Sequence, residues 1–327
     1  MSNHRGCDRS SWVGLAAVVC IGAAAPVGCA PPAPAAHTPP AVVLRLTTGT
    51  PGAGFHPLGQ AFDRSFGAAN GPMTLSIQES AGSIANVEAI QRGNADIGFS
   101  YADVAYVGFV GQLEGQRRGF DRLRGVAVLQ LTPVHLIVGA GSGLRDVSQL
   151  KGRHIAVGLP GSGSALTAEI VLQALGIPRT SVRLEPLRYS EAGARLAVGS
   201  IDALFVTGSD PVESVRTAAR AGARLLPLEG QPIERLRHDY PFLRPMSIPA
   251  GTYPGQPSAV RTIGVDNLLV CRRDLDEAVV HDFTRQFFAA LPSLPLLRLM
   301  DAEQAPATPV PLHEGAARFY RERELRR

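Results

Sequence analysis

Lysine is almost absent: Lys151 is the only one, and the basic charge is otherwise arginine. No run of five or more basic residues occurs, and a formal net charge of +4 is small for 327 residues, so a nucleic-acid partner is not expected. Catalytic signatures are also missing. There is no G-x-S-x-G elbow, no H-E-x-x-H and no cysteine and histidine cluster with metal-ligand spacing; the eight histidines are scattered. The stretch "GLPGSGS" from Gly158 has the glycines of a phosphate loop, but Ser164 stands where that loop needs lysine. The sequence therefore predicts no enzyme, no bound metal and no cofactor. Of His56 and His135, each fits a cleft or a purely structural place.

What is present is a globular composition, 45% hydrophobic and 18% charged. At about one domain per 150 residues, the length suggests two folding units. Residues 1–29 read as an export signal, with Arg5 and Arg9 ahead of the uncharged run "WVGLAAVVCIGAAAPVG". That run is short of the roughly 20 residues a membrane span needs, so cleavage is expected. "PVGC", Pro26 to Cys29, is similar to a bacterial lipobox and makes Cys29 a lipidation site; plain cleavage is the alternative. Cys7 and Cys20 leave with the leader, and Cys271, in "NLLVCRRDL", is expected to be a buried thiol without a partner. Residues 30–41, "APPAPAAHTPPA", read as an extended Pro-rich linker.

From Val42 short apolar runs alternate with helical stretches, which predicts an α/β fold with a mainly parallel sheet. One phrase occurs twice: "GNADIGF" at Gly93 to Phe99 and "GSIDALF" at Gly199 to Phe205. Each joins a helix to a strand through a glycine, where the left-handed conformation costs nothing, and an acidic residue. The repeat implies two similar α/β lobes, placed at 42–132 plus 260–327 and at 133–259. Two such lobes make a cleft beyond the carboxyl ends of their strands.

Three segments set small residues between a strand and a helix: "TTGTPGAGFHPLG" from Thr47, "ESAGSIAN" from Glu79 and "LPGSGSAL" from Leu159. Free amides, helix N-termini and hydroxyls at these turns suit a carboxylate or another small anion. The expected ligand-binding residues are Thr50, Gly52, Gly54, Phe55, Ser80, Gly82, Ser83, Tyr101, Ser162, Gly163, Ser164 and Thr207. Ser83 and Ser164 also fit helix capping, and Phe55 and Tyr101 also fit core packing.

In this order the turns resemble the TAXI family, the extracytoplasmic solute receptors of TRAP-type transporters. "TGTPGAGFHPLG" is similar to T-G-x-x-G-G-x-Y-Y-P-x-G, and "SAGSIANVEAIQRGNADIGFSYADVAY" to T-G-G-S-x-E-N…G-x-A-D-x-G-F-x-Q-x-D-x-A-Y, with Ala85 and Tyr101 in place of Glu and Gln. "LPGSGSALTAEIVLQALG", "IPAGTYPGQ" and "PLHEGAARFYRE" continue the likeness to about Glu324. The resemblance implies a two-lobed periplasmic binding protein of type II, acting as a monomer. It would be periplasmic or lipid-anchored and would hand glutamate, glutamine or a small dicarboxylate to integral membrane permease subunits. The alternatives are a receptor for an ABC-type importer and a ligand-sensing partner of a membrane kinase.

Overall fold

The computed structural model describes residues 42–51, 54–68, 73–116 and 118–325. The leader, Cys29, the linker and Gly52 lie outside the described residues. Residues 40–327 form one compact unit.

The chain alternates as the apolar pattern requires. β1 (Val42–Thr47), α1 (Phe55–Ala68), β2 (Met73–Gln78), α2 (Ser83–Arg92), β3 (Ile97–Tyr101) and α3 (Ala102–Phe109) lead into a long strand, β4 (Leu123–Val138). Next come β5 (His154–Val157), α4 (Gly163–Ala174), β6 (Arg183–Pro186), α5 (Tyr189–Ala197), β7 (Ala203–Thr207), α6 (Glu213–Arg220), β8 (Arg224–Leu226), α7 (Gln231–Asp239) and β9 (Leu243–Ile248). A second long strand, β10 (Val260–Arg272), precedes α8 (Glu277–Ala290) and α9 (Glu314–Glu324). The sheet runs β2-β1-β3-β10-β4-β7-β5-β6, with β8 beside β4 and β9 beside β10. Its outer strands are parallel: β1 with β2 and β3, and β5 with β6 and β7. The expectation of a mainly parallel sheet needs one correction, because β4 and β10 pair antiparallel through the middle.

Both long strands change neighbours along their length. β4 pairs β10 up to Pro133 and β7 from Val134 onward. β10 pairs β9 from Val260 to Val265 and β3 from Asn267 to Cys271. Apolar side chains cover both faces, as a parallel sheet sandwiched by helices demands. On one face Phe62, Phe66, Phe99, Phe283 and Phe287 form a fully buried stack, in which Phe66 and Phe283 ring centroids lie 5.0 Å apart. This ties the C-terminal α8 to α1. Cys271 is free and buried, and burial pushes its thiol far above the ordinary range.

The repeated phrase has a structural explanation. Gly93 and Gly199 take φ of 78° and 76°, the left-handed conformation that ends a helix. Asp96 then exchanges with Arg45: its amide donates to the Arg45 carbonyl at 3.0 Å and its carboxylate accepts the Arg45 amide at 3.0 Å. Asp202 does the same with His154, at 2.8 and 2.9 Å. Each acid therefore staples the start of its strand to the strand beside it, at the end of the sheet opposite the Gly/Ser turns.

Asp96 carries more. Its carboxylate also takes the Arg45 guanidinium at 2.9 and 2.8 Å and Arg272 at 3.2 Å. Burial opposes ionisation here, but the Arg45 hydrogen bonds and the charges of Arg45 and Arg272 outweigh it and hold the carboxyl below its ordinary value. A depressed carboxyl stabilises the fold above its unfolded value, about 3.9, and the contribution fades as pH falls through the folded value. Asp96→Asn should thus cost about 1–3 kcal/mol in urea unfolding at pH 7, with solvent screening of the part-exposed Arg45 holding it toward the lower end. The gap from wild type should close as pH drops below about 4; a gap independent of pH would show that the charge is not what matters.

Candidate functional site

The three Gly/Ser turns follow β1, β2 and β5, and the structure brings them together. Gly161 supplies the joint: its carbonyl accepts the amides of Ile84 at 3.0 Å and Ala85 at 3.2 Å. These are first-turn donors of α2, which have no partner within their own helix. The N-cap of α2 is Gly82, which has no side chain to do this, so a carbonyl from the other side of the cleft does. The approach needs glycine. A Cβ on Gly82 would lie 3.3 Å from the Ser162 Cα, and Gly82 holds φ of 130°. A Cβ on Gly163 would sit 2.3 Å from the Tyr101 ring and 2.7 Å from the Ser83 hydroxyl.

Most of the hydroxyls expected to face a ligand are committed to the protein. Ser83, 1% exposed, accepts the Tyr101 amide at 3.1 Å. Ser164, also 1% exposed, accepts the Thr207 amide at 3.0 Å and shares a 2.5 Å hydrogen bond with the Tyr189 hydroxyl. Neither is a helix cap; Ser162 caps α4 instead, accepting the Ala165 amide at 3.4 Å. Ser80 donates to Thr48 and Asn86 and accepts the Gly82 amide at 3.0 Å. Fully buried Asn86 is the hub of this corner. Its amide group donates to the Thr48 and Phe99 carbonyls at 2.6 and 2.8 Å, and its oxygen accepts from Thr47 at 2.6 Å and Ser80 at 2.5 Å.

Aromatics fill much of the remaining space. Phe55 is buried, with its ring 5.6 Å from Phe99 and 5.2 Å from Tyr101, so it packs in the core. Tyr101 reaches across and donates its hydroxyl to the Thr207 carbonyl at 2.9 Å. Burial, with Tyr189 and Asp103 nearby, pushes its phenol well above the usual range, so it stays neutral and donates. Beside it Asp103, fully buried at the start of α3, accepts the Thr167 hydroxyl of α4 at 2.6 Å; burial raises its carboxyl to about 6 despite that bond.

A cavity of ≈ 110 Å³ remains between the turns, lined by Thr50, Ala81, Ser162, Arg188, Tyr189 and Ser190 among others. No acidic residue lines it. Arg188, the residue before α5, is exposed; its carbonyl accepts the Ala192 amide at 2.9 Å, and its guanidinium has no hydrogen-bond or ionic partner among the described residues. Of the expected residues, Thr50 and Ser162 line this cavity directly, whereas Gly54 lies at the start of α1 outside it. Sequence reasoning missed Arg188 and Asn86. The available signal for Arg188 was its place after β6, at a strand end and helix start like the other three turns.

His135 is not at the cleft. It lies fully buried on β4, 2.7 Å from Asp210 and 2.8 Å from the Tyr253 hydroxyl. His56 sits on α1, 3.8 Å from Glu79, and does not line the cavity. Among the described residues no group of three or more His, Cys, Asp or Glu is arranged to hold a metal. No helix among them is long and apolar enough to cross a membrane.

Solved structures share this architecture. A periplasmic transporter matches with a TM-score of 0.54 at 13% identity, covering 88% of this chain and 94% of its own. A Xanthomonas citri protein bound to ATP matches at 0.52 and 14%, covering 86% and 98%. A Bordetella bronchiseptica protein matches at 0.52 and 17%, covering 82% and 77%. The chain thus shares the α/β fold of these solved structures. The family model of NMT1-like proteins matches residues 46–323, nearly all that the structure describes, and the chain belongs to the NMT1-like family.

Proposed function

We propose that the protein is an extracytoplasmic receptor that captures a small anion between two lobes and delivers it to membrane transport subunits. The unpaired Arg188 carries this reading. An arginine without a counter-charge among the described residues, lining a small cavity together with Thr50, Ser162 and Ser190, is a ready partner for a carboxylate. The N-terminus of α4, at Ser162, adds its dipole. Nothing in the lining is placed as a nucleophile beside a base, so binding is capture without chemistry. The cavity's size favours a compact acid; the resemblance to TAXI receptors points to glutamate, glutamine or a dicarboxylate.

The lobes in this proposal are the two halves of the sheet, 42–132 plus 260–327 and 133–259, bending where β4 and β10 exchange partners. The contacts across the cleft, Gly161 to α2 and Tyr101 to Thr207, are those of a closed form. Opening would break them and admit the solute.

Among membrane partners, TRAP-type permease subunits follow from the resemblance. An ABC-type importer is supported comparably, because "PLHEGAARFYRE" is occupied inside the fold. His313 caps α9, Gly315 packs so tightly on α8 that a Cβ would lie 2.3 Å from the Glu277 carbonyl, and Tyr320 donates to the Val126 carbonyl at 2.8 Å.

Calorimetric titration of residues 42–327 with compact carboxylic acids and their amides tests the site. One acid should bind and its amide should not. Arg188→Ala should weaken that acid about 30-fold or more while leaving unliganded stability within about 0.5 kcal/mol. Equal binding by wild type and Arg188→Ala would reject the site. For the anchor, Cys29→Ala should move the full-length protein from the membrane to the soluble fraction; unchanged fractionation would reject lipidation.

A further inference from the structure

A larger cavity, ≈ 410 Å³, shares no lining residue with the cleft. It lies among α3, β4, the end of α7, β9, β10 and residues 304–309. Its volume is that of a small-molecule site, whereas the cleft cavity is smaller than most such sites. Two features define its chemistry. Tyr106 and Phe242 form an aromatic corner, ring centroids 5.5 Å apart and planes at 50°, backed by Tyr240 at 6.3 and 5.7 Å. Beside it are two carboxylates, Asp239 and Asp266, and one cation, Arg244.

Asp266 is 8% exposed, and burial raises its carboxyl despite its contact with Arg244. That contact uses one Asp266 oxygen and is the only hydrogen bond the carboxylate makes among the described residues. Arg244 therefore offsets one carboxylate and leaves Asp239, at the C-terminus of α7, where the helix dipole adds further negative potential. An anion entering here would meet two carboxylates against the single Arg244 guanidinium. A cation with an apolar body would meet carboxylate oxygens and π-faces together.

We propose that this cavity is a second binding site, specific for a small organic cation: an amine or quaternary ammonium ion with an aromatic or branched aliphatic body. The proposal is independent of the anion site.

The test is saturation-transfer NMR and calorimetry on residues 42–327 with three probes of similar shape: benzyltrimethylammonium, benzyl alcohol and benzoate. The cation should bind roughly tenfold or more tightly than either of the others. Asp266→Asn and Tyr106→Leu should each weaken it about tenfold, whereas Arg188→Ala should leave it unchanged. Tyr106→Leu serves alone if Asp266→Asn does not fold. Benzoate binding as well as the cation, no binding by the cation, or wild-type affinity in folded variants would each overturn the proposal. Loss of cation binding in Arg188→Ala would overturn it too, by moving the cation to the cleft.

Discussion

The antiparallel ladder between β4 and β10 is the constraint on which the rest of the molecule depends. It runs from Gly264 opposite Pro133 to Arg272 opposite Leu123, with register shifts after Asp266 and Leu269 that bend the strands. Gly264 is required at one end, since a Cβ there would lie 2.5 Å from the Leu131 side chain. Four strands pair with this ladder directly, β3 and β9 on β10 and β7 and β8 on β4, and β1, β2, β5 and β6 join through β3 and β7. The two parallel strand groups thus come to face one crevice with their carboxyl ends. The cleft is a product of this arrangement before any site residue is considered.

Within the cleft, closeness of approach decides what the turns can do. Glycines at 82, 161 and 163 allow the turns from the two sides to meet backbone to backbone. The amides and hydroxyls that would otherwise be free then satisfy one another, because a buried donor without an acceptor is costly. Ser83, Ser164 and Thr207 accordingly belong to the protein's own network, and among the described residues lining the cavity the charged group left over is Arg188. Tyr101 contributes to the small volume by crossing the cleft.

Much of the fold was legible in the sequence because it follows from local rules. The apolar alternation, the glycine joints and the paired acids at 96 and 202 each act through neighbours a few residues away or on the next strand. The burial of Cys271 was legible from its apolar flanks. The site was less legible. A serine in a Gly/Ser turn looks the same whether its hydroxyl meets a ligand or the Thr207 amide, and only the tertiary approach of β7 decides between them. Arg188 looks like any other arginine in an arginine-rich chain until its place in the lining of the small cavity is seen. Two of the distinctive motifs, around Tyr253 and His313, are internal pins: Tyr253 holds His135 and Asp210, and His313 holds α9. They report the fold faithfully and leave the solute to the cleft residues.

The most direct measurement is a crystal structure of residues 42–327 with the acid that binds in titration. The account predicts the acid enclosed between the turns at Thr50, Ala81 and Ser162, with an oxygen in hydrogen-bonding distance of the Arg188 guanidinium. Density for the acid elsewhere, or in the cleft with Arg188 turned away into solvent, would contradict it.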